Sequence, residues 1–245
     1  MLKLSIITPS FNQGKFIKDT IESILCQDYS NYEHIVVDGC SKDNTLEILK
    51  SYTHIKWISE KDNGAAEAIN KGFKLADGDI ITWINSDDYY QKNIFGKLMN
   101  IFQSHSNIDF IYGNRTVVIP DKKKELPEKT LKQSAERLIH YSADIVRQPC
   151  SFYRKSLLEK VGYLNESLKL VFDYELFIRI FNQTEPYYID ENYAFQRDYG
   201  STLTRSNMRK QAMEIFSISR KYGAKLTDPI MYNSVLKKIL FPGSY

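Results

Sequence analysis

Asn85-Ser86-Asp87-Asp88 closes a short apolar run, Ile80 to Ile84, and sets two carboxylates side by side where a strand would meet a loop. Adjacent carboxylates repel unless one is protonated or a cation lies between them, and a divalent metal with oxygen ligands is the common solution. Magnesium or manganese is the expected ion, held by Asp87 or Asp88. A local reading stays open beside it: aspartates open turns and cap helices, and a helix is expected from near Gln91. Other polar groups follow other apolar segments, namely Phe11 with Asn12, Asp38, and Asp62. Gathered on one edge, they would suit a polar ligand.

A scaffold that gathers them can be read from periodicity. Leu4 to Thr8, His34 to Val37, Ile55 to Ser59 and the run ending at Ile84 read as strands. Lys15 to Gln27, a stretch carrying Leu46, Ile48 and Leu49, and Ala65 to Ala76 read as helices between them. Asp43 or Asn44 can cap the second of these. Strand and helix alternating in this way imply a mostly parallel sheet with helices on both faces, whose loops open at one edge. Beyond Asp88 a helix near Asn93 to Ser104 and a strand Phe110 to Tyr112 follow. Val117 to Leu131, with Pro120, Pro127 and the run Lys122-Lys123-Lys124, reads as an exposed hairpin or flexible excursion. Gln148 to Tyr153 reads as a strand, Lys155 to Val161 and Asp173 to Phe181 as helices, and Ser206 to Tyr222 and Pro229 to Leu240 as closing helices.

The 245 residues suffice for one large α/β domain, and a net charge of +3 is too small to argue for nucleic-acid binding. Three widely spaced cysteines, Cys26, Cys40 and Cys150, carry no metal-ligand pattern and fit reduced thiols. The apolar segment at the N-terminus is too short for a signal peptide, and no run approaches the roughly 20 residues of a membrane-spanning helix. The expected location is cytoplasmic. No G-x-G-x-x-G or Walker-type loop follows the first strand, which argues against a dinucleotide cofactor or a phosphate loop.

In order and spacing, residues 2–205 resemble the family 2 inverting glycosyltransferases of GT-A fold, of the kind that acts in bacterial surface polysaccharide synthesis. Thr8-Pro9-Ser10-Phe11-Asn12 resembles the family's opening Pro-x-Tyr-Asn, and Asp38-Gly39-Cys40-Ser41-Lys42-Asp43 its Asp-Asp-Gly-Ser-x-Asp loop. Asp62-Asn63-Gly64 with Asn70-Lys71-Gly72, then Asn85-Ser86-Asp87, continue the series. Gln148-Pro149, Val161 to Glu166 and Asp173 to Arg179 match the acceptor half.

The resemblance implies a single α/β domain over residues 1–205, with a nucleotide-sugar half to 112 and an acceptor half from 113, and a helical extension over 206–245. It implies that Pro9, Phe11, Asn12, Asp38, Asp62, Asn70, Asn85, Ser86 and Asp87 hold the nucleotide sugar. Arg197, whose bidentate guanidinium suits phosphate oxygens, is expected either to reach the diphosphate or to form a surface ion pair with Asp198 or Glu191. Asp87 and Asp88 would hold manganese or magnesium, and Asp173 would be the catalytic base, with a helix N-cap as its local reading and Glu175, also set on the acceptor side, as the alternative base. Gln148 is expected either to line the acceptor pocket or to bind its own backbone as a strand-end amide. Gly39, Asn85 and Phe172 depart from the family pattern.

The expected reaction is metal-dependent transfer of a hexosyl or N-acetylhexosaminyl group, with inversion, from a nucleotide-diphosphate sugar to a hydroxyl of a glycan or lipid-linked saccharide. A UDP-sugar is favoured over GDP- or dTDP-sugars. The departures support a second reading, a catalytically weakened GT-A-fold binding subunit of a glycan-synthesis complex. A sugar nucleotidyltransferase would want a glycine-rich loop after the first strand. Lys237, Lys238, Ile239, Leu240 and Phe241 form a basic-apolar patch suited to peripheral contact with an inner membrane face. A homodimer is compatible with the sequence.

Overall fold

A computed structural model describes residues 1–143, 146–199 and 207–240, the side chain of Lys238 apart. β1 (Leu4–Ser10) lies between β2 (Tyr32–Asp38) and β4 (Ile80–Trp83), and β3 (Ile55–Ser59) lies outside β2. All three pairings are parallel, so the carboxyl ends of the four strands share one edge. β1 and β4 are buried along their whole length, which is why β4 reads as a nearly continuous apolar run broken only at Thr82.

Side-chain alternation along the strands feeds two faces. Ile7, Val37, Ile81 and Trp83 meet Ile69 and Phe73 of α3 (Ala65–Leu75). On the opposite face, Leu4, Ile6 and Ile80 pack with Ile24 of α1 (Ile17–Leu25). Val36 joins Ile17 and Ile21 of α1 and Leu49 of α2 (Thr45–Lys50). Asp43, not Asn44, secures the start of α2. It accepts the Thr45 N–H at 3.0 Å and the Gly14 N–H at 2.8 Å.

Past β4 the sheet becomes mixed. β8 (Ser151–Arg154) runs antiparallel to β4 and to β6 (Phe110–Ile119), β9 (Tyr187–Arg197) is parallel to β6, and β7 (Lys124–Glu128) closes a hairpin on β6. That hairpin is the excursion expected after Val117, turned through Lys123 at φ 48°. The boundary expected at 112 falls inside β6. Gly113 is required there, because a Cβ would lie 2.6 Å from the Tyr193 ring.

The helix expected from Gln91 does not begin there. Tyr89–Tyr90 form β5 on the end of β9, with Tyr89 stacked 4.9 Å from Phe195. Asn93 at φ 59° then interrupts the chain before α4 (Phe95–Ser104). α5 (Ala135–His140) was not expected, and Gln148–Cys150 is a 3-10 turn ahead of β8 rather than part of it.

α6 (Lys155–Val161) and α7 (Phe172–Gln183) cover the α3 face. α8 (Met208–Lys221), a π-helical segment (Met231–Leu236) and α9 (Lys237–Leu240) follow. Ala212, Ile215, Ile230 and Val235 enter the same core as α7, so the C-terminal helices share the main domain's interior. The expected boundary at Arg205, the helix start at Ser206, and Phe241 lie outside the described residues.

Candidate active site

Past β4 the chain turns through Asn85 to Asp88, held from α1 by the Thr20 hydroxyl, which lies 3.0 Å from the Ser86 carbonyl and 2.6 Å from the Asp88 carbonyl. The two aspartates then diverge. Asp88, 1% exposed, points inward and accepts the backbone N–H of Arg197 at 2.9 Å. Asp87 is half-buried and accepts the Tyr199 hydroxyl at 2.7 Å. The Arg197 guanidinium donates to the Asp87 carbonyl at 2.7 Å and pairs with Asp19. It lies 5.0 Å from the Phe16 ring centre and 4.7 Å from that of Tyr89.

Burial raises the carboxyl of Asp87 above its ordinary range, against the pull of Tyr199 and Arg197. It raises Asp88 well above that range, and the neighbouring charge of Asp87 adds to the effect. Asp88 as a metal ligand is therefore corrected: its carboxylate is turned into the protein and bonded to β9. Among the described residues no group of three His, Cys, Asp or Glu side chains could hold a metal unaided. Asp87 does fit a manganese or magnesium ion of the type bound by one or two carboxylates together with substrate phosphates and water.

The ends of β1, β2 and β3 build a second part of the edge. Phe11 is 60% exposed. A Cβ on Gly39 would lie 3.3 Å from its ring and 2.7 Å from the Asp62 carboxylate, so the glycine lets these two side chains close over it. Asn12, at φ 53°, ties the first loop to the second. Its N–H donates to the Ser41 hydroxyl at 2.7 Å, and its side-chain oxygen accepts the Lys42 N–H at 2.7 Å. Pro9 lies buried within β1.

Asp38 is buried under this loop and accepts the Ser41 N–H at 2.9 Å and the Ser59 hydroxyl at 2.7 Å, so it braces the edge from below. Asn70 is placed elsewhere. Its amide donates to the Leu164 carbonyl at 2.9 Å and its oxygen accepts the Leu164 N–H at 3.0 Å, a structural clamp in place of a nucleotide contact.

On the acceptor side, Asp173 is the half-buried second residue of α7 and accepts the Tyr174 N–H at 2.8 Å. The segment entering α7 is fixed by Glu214 of α8, which accepts the backbone N–H groups of Lys169 at 3.1 Å and Leu170 at 3.0 Å. Glu175 does not face an acceptor. It is 4% exposed, paired with Arg179 at 2.8 Å, and accepts the Tyr222 hydroxyl at 2.7 Å. Arg179 in turn donates to the carbonyls of Val161 and Gly162, both at 2.6 Å. The Gln148 amide donates to the Trp83 carbonyl at 2.8 Å, which fixes it to the end of β4.

Thr20, Asp19, Tyr199 and Glu214 were missed in the sequence. Tyr199 lies two residues beyond the end of β9, so the alternation of the strand does not mark it.

The glycosyl transferase family 2 model matches residues 5–162. The chain belongs to glycosyl transferase family 2. An uncharacterized glycosyltransferase of Rickettsia prowazekii (strain Madrid E) is 30% identical over 222 residues, covering 84% of this chain and 67% of its own. The poly(ribitol-phosphate) beta-N-acetylglucosaminyltransferase TarS of Staphylococcus aureus (strain Mu50 / ATCC 700699) is 26% identical over 179 residues, 69% of this chain and 30% of TarS.

Among solved structures, S. aureus TarS 1-349 in complex with UDP-GlcNAc superposes with a TM-score of 0.73 at 21% identity, covering 94% of this chain and 68% of that one. The mannosyltransferase PcManGT of Pyrobaculum calidifontis, in complex with GDP-Man and Mn2+, gives 0.70 at 15% identity, covering 98% of this chain and 71% of that one. These likenesses establish the family 2 fold, a mixed α/β domain of GT-A type. The chain spans about two thirds of its relatives, 67% of the Rickettsia protein and 65% of TarS 1-349 in another of its crystal structures.

Proposed function

We propose that this family 2 chain transfers a sugar, hexosyl or N-acetylhexosaminyl, from a nucleotide-diphosphate donor to a hydroxyl of a glycan or lipid-linked acceptor, with inversion. The observation that carries the reading is the shared edge of four parallel strands, where exposed Phe11 lies beside Asp62 and Gly39 while Asp87 sits on the turn that follows β4. Phe11 offers an aromatic face to a nucleobase, and Asp62 a carboxylate to ribose hydroxyls. Relatives support the donor class, since TarS structures contain UDP or UDP-GlcNAc and the Pyrobaculum enzyme contains GDP-Man with Mn2+.

When bound at Asp87, a manganese or magnesium ion supplies a Lewis acid for the charge that develops on the departing nucleotide diphosphate. Arg197, held between Phe16 and Tyr89, keeps the backbone of Asp87 in place through its guanidinium. Asp173 accepts the proton of the acceptor hydroxyl as that oxygen bonds to the anomeric carbon. The bond from that carbon to the diphosphate oxygen breaks on the opposite face, which inverts the centre.

The test is a thermal-shift screen of nucleotide diphosphates and their sugars with manganese, followed by donor hydrolysis and transfer assays, since a true donor stabilises the fold by mass action. Manganese-dependent stabilisation with turnover supports the enzyme. Stabilisation without hydrolysis or transfer assigns the chain to the second reading, a binding subunit.

A further inference from the structure

Residues 207–240 carry seven basic side chains and two acidic ones, a net +5 that exceeds the +3 of the whole chain. Both acids are turned to the protein body. Glu214 accepts the backbone N–H groups of Lys169 and Leu170, and Asp228 bonds His140 at 2.7 Å and the Lys225 N–H at 2.6 Å. The solvent side is left with basic charge alone, including exposed Arg209, Lys210, Lys221 and Lys225.

The same surface is apolar between those charges. Along α8 the exposed residues Arg209, Met213, Phe216 and Arg220 recur at helical spacing, so they form one stripe with cations at its ends and large apolar side chains between them. Met213 is 69% and Phe216 40% exposed. The segment Met231–Leu240 packs back against α8 and leaves Tyr232, Leu236 and Leu240 exposed. Its buried residues Met231 and Val235 join Ala212 and Ile215 of α8 in one core, so the two helices turn their other faces outward.

We propose that the outward face of α8 and the C-terminal helix docks on an anionic lipid surface. Cations attract phosphate headgroups, and the apolar side chains between them enter the acyl boundary. A second copy of the chain fits poorly, because two such faces would bring like charges together. A soluble polyanion would use the cations and leave Met213 and Phe216 without a role. The face is tied to the acceptor side: α8 holds the entry to α7 through Glu214, and Tyr222, the residue that follows α8, holds the first turn of α7 through its bond to Glu175.

Co-sedimentation of the full chain with vesicles of phosphatidylcholine alone, or of phosphatidylcholine with phosphatidylglycerol, tests the proposal, with soluble polyphosphate as competitor. Binding is expected to the phosphatidylglycerol vesicles only, to weaken with salt, and to resist polyphosphate. Arg209→Gln combined with Lys210→Gln and Lys221→Gln should lower partitioning roughly a hundredfold, at about fivefold per charge. Met213→Ser with Phe216→Ser should lower it about tenfold, with unchanged circular dichroism because both side chains are exposed. Arg209→Lys should bind as the parent does. Absence of vesicle binding at low salt, or binding indifferent to these substitutions, overturns the proposal. Equal binding to polyphosphate that survives loss of Met213 and Phe216 also overturns it and makes the face a polyanion site.

Discussion

The backbone N–H of Arg197 donates to the Asp88 carboxylate at 2.9 Å, joining residues 109 positions apart in sequence. Asp88 is therefore a fastening between the end of β9 and the loop that presents Asp87, and the two neighbours should fail differently. Asp88→Ala leaves a buried N–H without its acceptor and is expected to destabilise the fold by about 1–3 kcal/mol, read from denaturant unfolding. Asp87→Ala should leave the unfolding midpoint near that of the parent and remove manganese-dependent stabilisation by the donor. Retained manganese-dependent donor binding in Asp87→Ala would move the metal elsewhere.

Asp173→Asn keeps the size of the side chain and its acceptor for the Tyr174 N–H, but cannot take a proton at neutral pH. Turnover should fall roughly 100-fold or more, with donor affinity nearly unchanged. A parallel loss of donor binding would assign Asp173 to the nucleotide site.

Glu175→Gln breaks a buried ion pair that also anchors Tyr222, and Arg179 would lose the partner that orients it on the end of α6. The expected cost is roughly 3 kcal/mol, the low end for a broken buried pair because Arg179 keeps some solvent contact. Under conditions where the variant remains folded, its turnover should stay within a few-fold of the parent. A 100-fold loss in the folded variant would return Glu175 to the chemistry.

His34, at the centre of β2, is wholly buried, and burial lowers its imidazole to about 3, with His54 a smaller influence in the same direction. It stays neutral in the folded state, with Nε2 2.9 Å from the Thr8 hydroxyl. The unfolded chain protonates near 6.5, so the contribution to stability is complete above that pH and falls as pH drops toward 3. The slope is up to about 1.4 kcal/mol per pH unit. Between pH 7 and pH 5 the parent should lose more stability than His34→Gln, measured by denaturant midpoints. Equal losses would mean that His34 titrates normally in the fold.

The parallel half was legible because its strands are covered on both faces and its helices bury one stripe each, which leaves strong periodicity in Ile80 to Ile84 and in Ile17, Ile21 and Ile24. β9 was not, because Asp190, Glu191 and Asn192 interrupt its alternation where register shifts against β6 occur. Missing β9 also hid the partners of the Asp87–Asp88 loop, since Tyr199 and the Arg197 N–H reach that loop only through the sheet. Composition alone could not separate exposed from inward carboxylates: Asp87 and Asp88 are adjacent and chemically identical, and only their tertiary hydrogen bonds divide their roles. Asn70 and Glu175 likewise sit in family motifs whose polar side chains serve packing here.

The strand order β4-β8-β6 has a consequence for how the chain emerges during synthesis. β4 is complete at Trp83, but the neighbour that covers its outer edge is β8, beginning at Ser151. Until that stretch has been made, a nascent chain carries a four-stranded sheet with a raw, apolar margin able to pair with another nascent chain. Closing it needs a contact of long sequence separation, a step expected to be slow. Protection of that margin before residue 151 arrives falls to transient cover by the chain's own intervening segment or by a holdase chaperone, and the interval should be the one in which this protein is most prone to aggregate.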